Sequence, residues 1–316
     1  MRAQRLKIVF MGTPDFSIPA LEALLSRGHD VVGIFTQPDR RAGRGRRLRP
    51  SPVKTFAQQL DLPVFQPASL RREREARDRI AALEPDAIVV AAYGLFLPSV
   101  VLEIPKYGCL NIHPSLLPRH RGPSPVISAI LEGDETSGVT IMLLDEGMDT
   151  GPVLAQERTD IGSDETADAL TRRLFDLGAK LLAQTLDRWV HGEITPSKQD
   201  EEQATVTRLL KREDGRLDWS ESADAIERRI RAFTPWPGTF TVWNERTLKV
   251  VRGRVIPEGV GAVPGTVFVS ADDRVSVATG SGSMELLEVQ LEGRAKAVAS
   301  DFARGNRGFV GSALGA

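Results

Sequence analysis

Short β-branched runs alternate with amphipathic segments through the first 150 residues, a pattern that predicts a parallel sheet with covering helices. The runs at 6–11, 31–36, 64–65, 87–92, 109–112 and 138–144 read as strands. After the first, Gly12-Thr13-Pro14-Asp15 turns the chain into a helix with Ile18, Leu21, Leu24 and Leu25 on one face, ended by Gly28. The charged segment 70–83 reads as a solvated helix. A longer helix is expected from Ser163, a good N-cap followed by Asp164 and Glu165. Leu170, Leu174, Leu177 and Leu181 form its stripe and Gly192 closes it.

Beyond residue 192 the rhythm changes. Residues 193–208 are polar, contain Pro196 and read as an interdomain linker, dividing the chain into 1–192 and 209–316. The second part opens with a helix over 223–233, and Trp236 between Pro235 and Pro237 reads as a packing anchor. Short alternating runs then follow at 240–243, 248–251, 266–269, 275–278 and 284–291, with turns at Asn244-Glu245, Asp272-Asp273 and 280–282. Closely spaced short strands predict a small barrel or sandwich.

The chain has 316 residues, 41% hydrophobic and 26% charged, so two ordinary globular domains fit it better than a disordered or fibrous class. No apolar run approaches the roughly 20 residues needed to span a bilayer, so no membrane partner is expected. A single cysteine, Cys109, excludes an internal disulfide and a thiolate metal cluster, and the cytoplasm is the expected compartment. The four histidines are scattered without a metal-ligand motif, so no metal is expected. Nor does a GxGxxG follow the first strand, which argues against a dinucleotide cofactor.

The segment CLNIHPSLLPRHRG (109–122) carries the chemistry: if it is extended, Asn111 and His113 face one spot at the end of a buried strand. An imidazole moves protons near neutral pH, an amide can donate to an oxyanion, and Asp149 could orient the ring. With no nucleophile-elbow motif, the set suits direct attack by a substrate nucleophile on a carbonyl. A core histidine beside a turn aspartate is the other reading, and the residues alone leave both open. The strand exit AAYGLFLP (91–98) could line a pocket for a flat heterocycle or merely bury a tyrosine. Net charge is −1, yet residues 40–49 hold six arginines: Arg40, Arg41, Arg44, Arg46, Arg47 and Arg49. That concentration suits a phosphate-backbone clamp as well as a solvated loop, and it should be mobile when free. Arg228, Arg229, Arg231 and Lys249 could add a second RNA-facing patch, though mixed charges surround them.

FMGTPDFS, TQPDRRAGRGRRLRPSPVK, AAYGLFLP, CLNIHPSLLPRHRG, GVTIMLLDEGMDTG and DWSESADAIERRIRAFTPWPGTF together resemble the methionyl-tRNA formyltransferase family over nearly the whole chain. The resemblance implies a Rossmann-like, mostly parallel α/β formyltransferase domain followed by an OB-like small β-barrel that grips tRNA. It implies formyl transfer from 10-formyltetrahydrofolate, a co-substrate rather than a tightly bound cofactor, to initiator methionyl-tRNA, in a protein expected to be a monomer. Asn111, His113 and Asp149 would be catalytic. Ser115, Leu116, Leu117, Pro118, Tyr93, Gly94, Leu95 and Leu97 would border the folate. The six arginines would meet the tRNA, with Arg44 at its acceptor end. After Arg121-Gly122 the family has small residues and then a glutamine, where this chain has Pro123-Ser124-Pro125-Val126. No role for that glutamine is carried over.

Overall fold

The computed structural model describes residues 4–42, 47–270 and 272–315. Packing divides the chain into two compact units: Met1–Pro125, Thr136–Asp160 and Thr171–Thr207 in the first, Val126–Glu135, Ile161–Leu170 and Arg208–Ala316 in the second.

The first unit is built on β1 (Lys7–Gly12), β2 (Asp30–Phe35), β5 (Val64–Phe65), β6 (Ala87–Ala91), β7 (Cys109–His113), β8 (Thr136–Leu143) and β9 (Val153–Asp160). A two-stranded hairpin, β3 (Arg40–Ala42) with β4 (Arg47–Arg49), stands apart from that sheet. The seven strands lie in the order β5-β2-β1-β6-β7-β8-β9. The first five are mutually parallel, while β8 and β9 run antiparallel to their neighbours. This is the Rossmann-like sheet that the hydrophobic runs announce. Its chain reverses direction of progress at β1, which lies between β2 and β6, and at such a switch point the carboxyl ends of the strands leave a crevice.

Strand alternation sorts the core into two layers. On one face Ile8, Phe10, Leu110, Ile112, Val139 and Ile141 pack with residues of α1 (Ile18–Ser26), α2 (Pro52–Gln59) and α6 (Ala167–Val190). On the other, Val9, Met11, Val90 and Cys109 pack with residues of α3 (Arg74–Ala82) and α4 (Ser99–Leu102). Burial pushes the Cys109 thiol up to about 12, so it stays a neutral core residue. α3 is shorter than the expected 70–83, because the Glu73 carboxylate accepts from the Ala68 and Ser69 amides and holds a turn there. Ser163 is not the N-cap of α6. The helix begins at Ala167, where Thr166 accepts from the Ala169 and Leu170 amides.

In the second unit, α5 (Pro125–Glu132) and α7 (Ala223–Ala232) accompany β10 (Thr239–Trp243), β11 (Arg246–Ile256), β12 (Val267–Val269), β13 (Val275–Ala278), β14 (Ser283–Leu291), β15 (Ala297–Val298) and α8 (Ala299–Gly305). The antiparallel order is β10-β11-β14-β13-β12, with β15 on β14. Register shifts in β11 near Arg252 and Gly253 bend the sheet. Its open side is bridged by the segment 311–315: Gly311 and Leu314 donate to carbonyls of Val267 and Gly265, and Gly315 donates to Val242 of β10. The result is a small β-barrel with Trp243, Phe302 and Phe309 in edge-to-face contact inside it.

Three sequence expectations meet a different arrangement here. Trp236 is 56% exposed, and Trp219 and Trp243 anchor the core instead. Arg228, Arg229 and Arg231 are engaged within the unit, with the Leu131 carbonyl, Glu221, and Glu227 plus the Glu165 carbonyl respectively. Those bonds from α7 explain why 126–135 and 161–170 group with the second unit. The stretch 193–208, expected as an interdomain linker, is bonded through much of its length to the first unit, by a bridge between Val153 and Ser197 and another between Arg121 and Val206.

Candidate active site

β7 ends at the carboxyl edge of the sheet and places Asn111 and His113 on the same face, the one that carries Cys109. Asn111 is half-buried, and its side-chain amide meets no hydrogen-bond partner among the described residues. His113 is 4% exposed. Its Nε2 lies 3.0 Å from the His120 carbonyl oxygen, so that nitrogen carries the hydrogen and donates. Nδ1 is thereby left as the ring acceptor, 3.6 Å from Asp149 Oδ2.

Asp149 sits in the turn after β8 with φ of 55°, a left-handed conformation that a non-glycine residue adopts only when its surroundings hold it. The Gly122 amide donates to its Oδ2 at 2.8 Å, and Gln199 Nε2 donates to its carbonyl oxygen at 2.8 Å. Burial drives the His113 pKa down, and the Asp149 charge opposes that shift. The ring is therefore neutral near pH 7, with an anion beside it that stabilises any imidazolium formed. The structure brings all three expected catalytic residues to one edge of one sheet.

The stretch after β7 is less open than the sequence suggests. Ser115 and Leu117 are buried, with Ser115 Oγ donating to the Arg119 carbonyl and the Leu117 amide donating to Thr140 Oγ1. Leu116 approaches Gly138 of β8, where a side chain would collide with it. These residues shape the wall, and Leu116 and Pro118 are its partly accessible members.

On the neighbouring β6 exit, Tyr93 and Leu97 are buried while Gly94 and Phe96 are exposed and Leu95 is intermediate. The Tyr93 carbonyl accepts from Thr13 Oγ1 at 3.0 Å and from Gln37 Nε2 at 2.9 Å, joining the loops after β1, β2 and β6. Gly94 has φ of 76°, and a Cβ there would lie 2.3 Å from Gln37 Nε2, so this junction requires glycine.

The basic segment grows from the same edge. Arg40 pairs with Arg49, Arg41 with Leu48 and Ala42 with Arg47. Arg44 and Arg46 lie outside the described residues. The feet of the hairpin are pinned: Lys54 Nζ lies 2.8 Å from Asp39 Oδ2, Gln66 donates to Asp39 Oδ1, and Thr36 Oγ1 lies 2.7 Å from Ser51 Oγ. Lys54 first, then Gln66, hold the Asp39 carboxyl below its usual range.

Sequence reasoning missed Thr13, Gln37, Arg121 and Gln199. Each is a polar residue whose partner lies 24 to 80 positions away, and no local pattern marks such a pairing.

A Rossmann-like sheet with this amide, imidazole and carboxylate at its carboxyl edge, followed by a curled β domain, defines the formyl transferase class. The Formyl transferase family model matches residues 6–186, and the Formyl transferase, C-terminal domain model matches 209–307. The chain is 51% identical over 290 residues to a methionyl-tRNA formyltransferase of Chloroflexus aurantiacus, covering 92% of this chain and 93% of that one. Another, from Dehalococcoides mccartyi, is 47% identical over 310 residues, covering 98% and 99%. The chain belongs to the methionyl-tRNA formyltransferase family. Among solved structures, HypX from Aquifex aeolicus in complex with tetrahydrofolic acid superposes with a TM-score of 0.66 at 18% identity. That match covers 98% of this chain and 49% of HypX, so the chain spans about half of HypX's length. An N-formyltransferase from Helicobacter canadensis, solved with folinic acid and dTDP-3-aminofucose, gives 0.67 at 18% identity, covering 89% and 98%. Both share the fold.

Proposed function

We propose that this protein transfers the formyl group of 10-formyltetrahydrofolate to the α-amino group of initiator methionyl-tRNA, with Asn111, His113 and Asp149 as the catalytic set. The observation that carries the reading is the Asn111 amide, without a hydrogen-bond partner among the described residues, beside a neutral His113 backed by Asp149. The amine nitrogen attacks the formyl carbon and the N–C bond forms. Charge develops on the formyl oxygen, where the Asn111 amide can donate. The proton lost by nitrogen passes to the His113–Asp149 pair, whose open base is Nδ1 because Nε2 is engaged. Collapse breaks the bond from the formyl carbon to N10, and a proton returns to N10 as tetrahydrofolate leaves.

Gly94, Leu95, Leu97 and Tyr93 on one side and the 115–118 turn on the other border the donor in this reading. The arginines of the hairpin meet the tRNA phosphates, and the barrel adds a second contact to the nucleic acid. A tRNA acceptor is supported over a small amine by the basic hairpin, which rises from the catalytic edge and would have no partner on a small substrate. A free, buried Cys109 suits a reducing compartment, and we place the protein in the cytoplasm and take it to act as a monomer.

The test is a transfer assay with formyl-folate and charged initiator tRNA against free methionine, glycinamide ribonucleotide and an amino sugar nucleotide. Tetrahydrofolate release only with charged tRNA is the expected result. Equal release with a small amine overturns the assignment of acceptor.

A further inference from the structure

Residues 197–207 do more than connect. Gln199 Nε2 donates to the carbonyls of both Asp149 (2.8 Å) and Gly151 (2.7 Å), and its Oε1 accepts from Arg121 Nε at 3.0 Å. Arg121 is 4% exposed and makes two further bonds to Glu201, at 2.9 and 2.8 Å. Thr205 Oγ1 accepts from the His120 amide at 2.7 Å, and its carbonyl accepts from the Arg121 amide at 2.9 Å. Thr207 both donates to and is paired with the Arg121 carbonyl, and its hydroxyl accepts from the Ser124 amide.

Two of the residues so held are left-handed non-glycines: Asp149 at φ 55° and His120 at φ 59°. Each faces one nitrogen of the imidazole. Asp149 supplies the carboxylate facing Nδ1, and His120 supplies the carbonyl that accepts from Nε2. A strained conformation persists only where contacts over-determine it, and besides the Gly122 amide on the Asp149 carboxylate, one segment supplies the side-chain contacts to the main chain of both residues. We propose that 199–207 is a positioning strap for the catalytic pair, in which Gln199 fixes the Asp149 turn and Thr205 fixes the His120 carbonyl, so that ring orientation and tautomer are set together. The inference rests on the reading of His113 and Asp149 as catalytic. None of the strap residues need touch substrate.

The two anchors can be separated by chemistry. Gln199→Glu keeps size and the acceptor for Arg121, yet it removes the donor to the Asp149 and Gly151 carbonyls and sets a carboxylate against them. Thr205→Val removes the hydroxyl under the His120 amide, and Thr205→Ser restores it. The variants are assayed as the full chain for kcat, for KM of both substrates, and for the acid limb of kcat. Misplacement of reacting groups by a fraction of an ångström costs on the order of 10- to 100-fold in kcat. That loss is expected for Gln199→Glu and Thr205→Val, with both KM values within about twofold and Thr205→Ser near the parent. Asp149 and then the His120 carbonyl favour the His113 imidazolium against burial, so loosening that carbonyl in Thr205→Val should also move the acid limb to lower pH. Wild-type kcat in folded Gln199→Glu and Thr205→Val overturns the proposal, as does a loss that Thr205→Ser fails to restore. His113→Gln, run in parallel, separates the two claims. If it too retains full activity, the catalytic reading fails, whereas if it alone is slow, only the strap fails.

Discussion

The Nδ1 of His113 stands 3.6 Å from Oδ2 of Asp149 while the opposite ring nitrogen is tied to the His120 carbonyl. One ring edge is thus fixed to main chain and the other is left to receive a proton beside an anion. Burial alone would make an imidazolium there costly, and the aspartate offsets part of that cost.

The pH dependence follows with a definite sign. Burial lowers the His113 pKa from its ordinary 6.5, so the neutral base persists below that value. The acid limb of kcat, measured with saturating substrates, should have its midpoint below 6.5 and disappear in His113→Gln, whose kcat falls about 10²–10⁴-fold. Because the unfolded chain binds this proton at higher pH than the folded one, stability contributed by the neutral ring is present above 6.5 and declines below it. A midpoint above 6.5 would contradict the lowering by burial, and a rate that falls as pH rises through His113's titration would make the imidazolium the working form.

Asn111→Ala removes an amide that has no structural partner among the described residues, so the fold should be indifferent to it. Thermal stability is expected to stay within about 1 kcal/mol. Loss of an oxyanion donor should lower kcat by about 10²–10³ with little change in KM for tRNA. Near-normal turnover removes Asn111 from the mechanism.

The hairpin arginines act through charge. Arg40→Ala and Arg49→Ala, at paired positions of β3 and β4, should each weaken tRNA binding and reduce the slope of log affinity against log salt by about 0.7–1. Donor affinity should not move. Unchanged slopes in both would place the phosphates elsewhere.

Gly178 of α6 lies against the catalytic strand: a Cβ there would come 2.5 Å from Ile112 Cγ2 and 3.0 Å from Val139 Cγ2. Helix propensity favours alanine by up to about 1 kcal/mol, but overpacking costs about 1–3 kcal/mol. Gly178→Ala should therefore lower the denaturation midpoint. It should also reduce kcat, since Ile112 sits between Asn111 and His113. A more stable, fully active variant would mean that β7 can yield without consequence.

The sheet was legible where strands are buried on both faces, because runs such as Ile8–Met11 and Ala87–Ala91 are continuously apolar. β9 was not, since Gln156, Glu157 and Arg158 are exposed and give it no apolar signal. Trp236 misled because large aromatics are usually covered, and its flanking prolines suggested a corner rather than a surface. Asn111 and His113 could be paired by strand period alone. Asp149 was joined to them as a carboxylate able to orient the ring and then through the family resemblance, and Gln199 by neither route, because its bond to Arg121 spans 78 positions inside a stretch too polar to suggest packing.

The central claim is that formyl transfer to the tRNA-borne amine occurs at the Asn111–His113–Asp149 edge. Single-turnover transfer from labelled 10-formyltetrahydrofolate to initiator methionyl-tRNA, comparing the parent with Asp149→Asn, tests it most directly. The substitution keeps the size of the side chain and removes the charge that supports a protonated His113. The account predicts rapid formation of formylmethionyl-tRNA by the parent and a rate at least about 10²-fold lower in the variant, with both substrates still bound. Transfer at the parent rate by Asp149→Asn would contradict it.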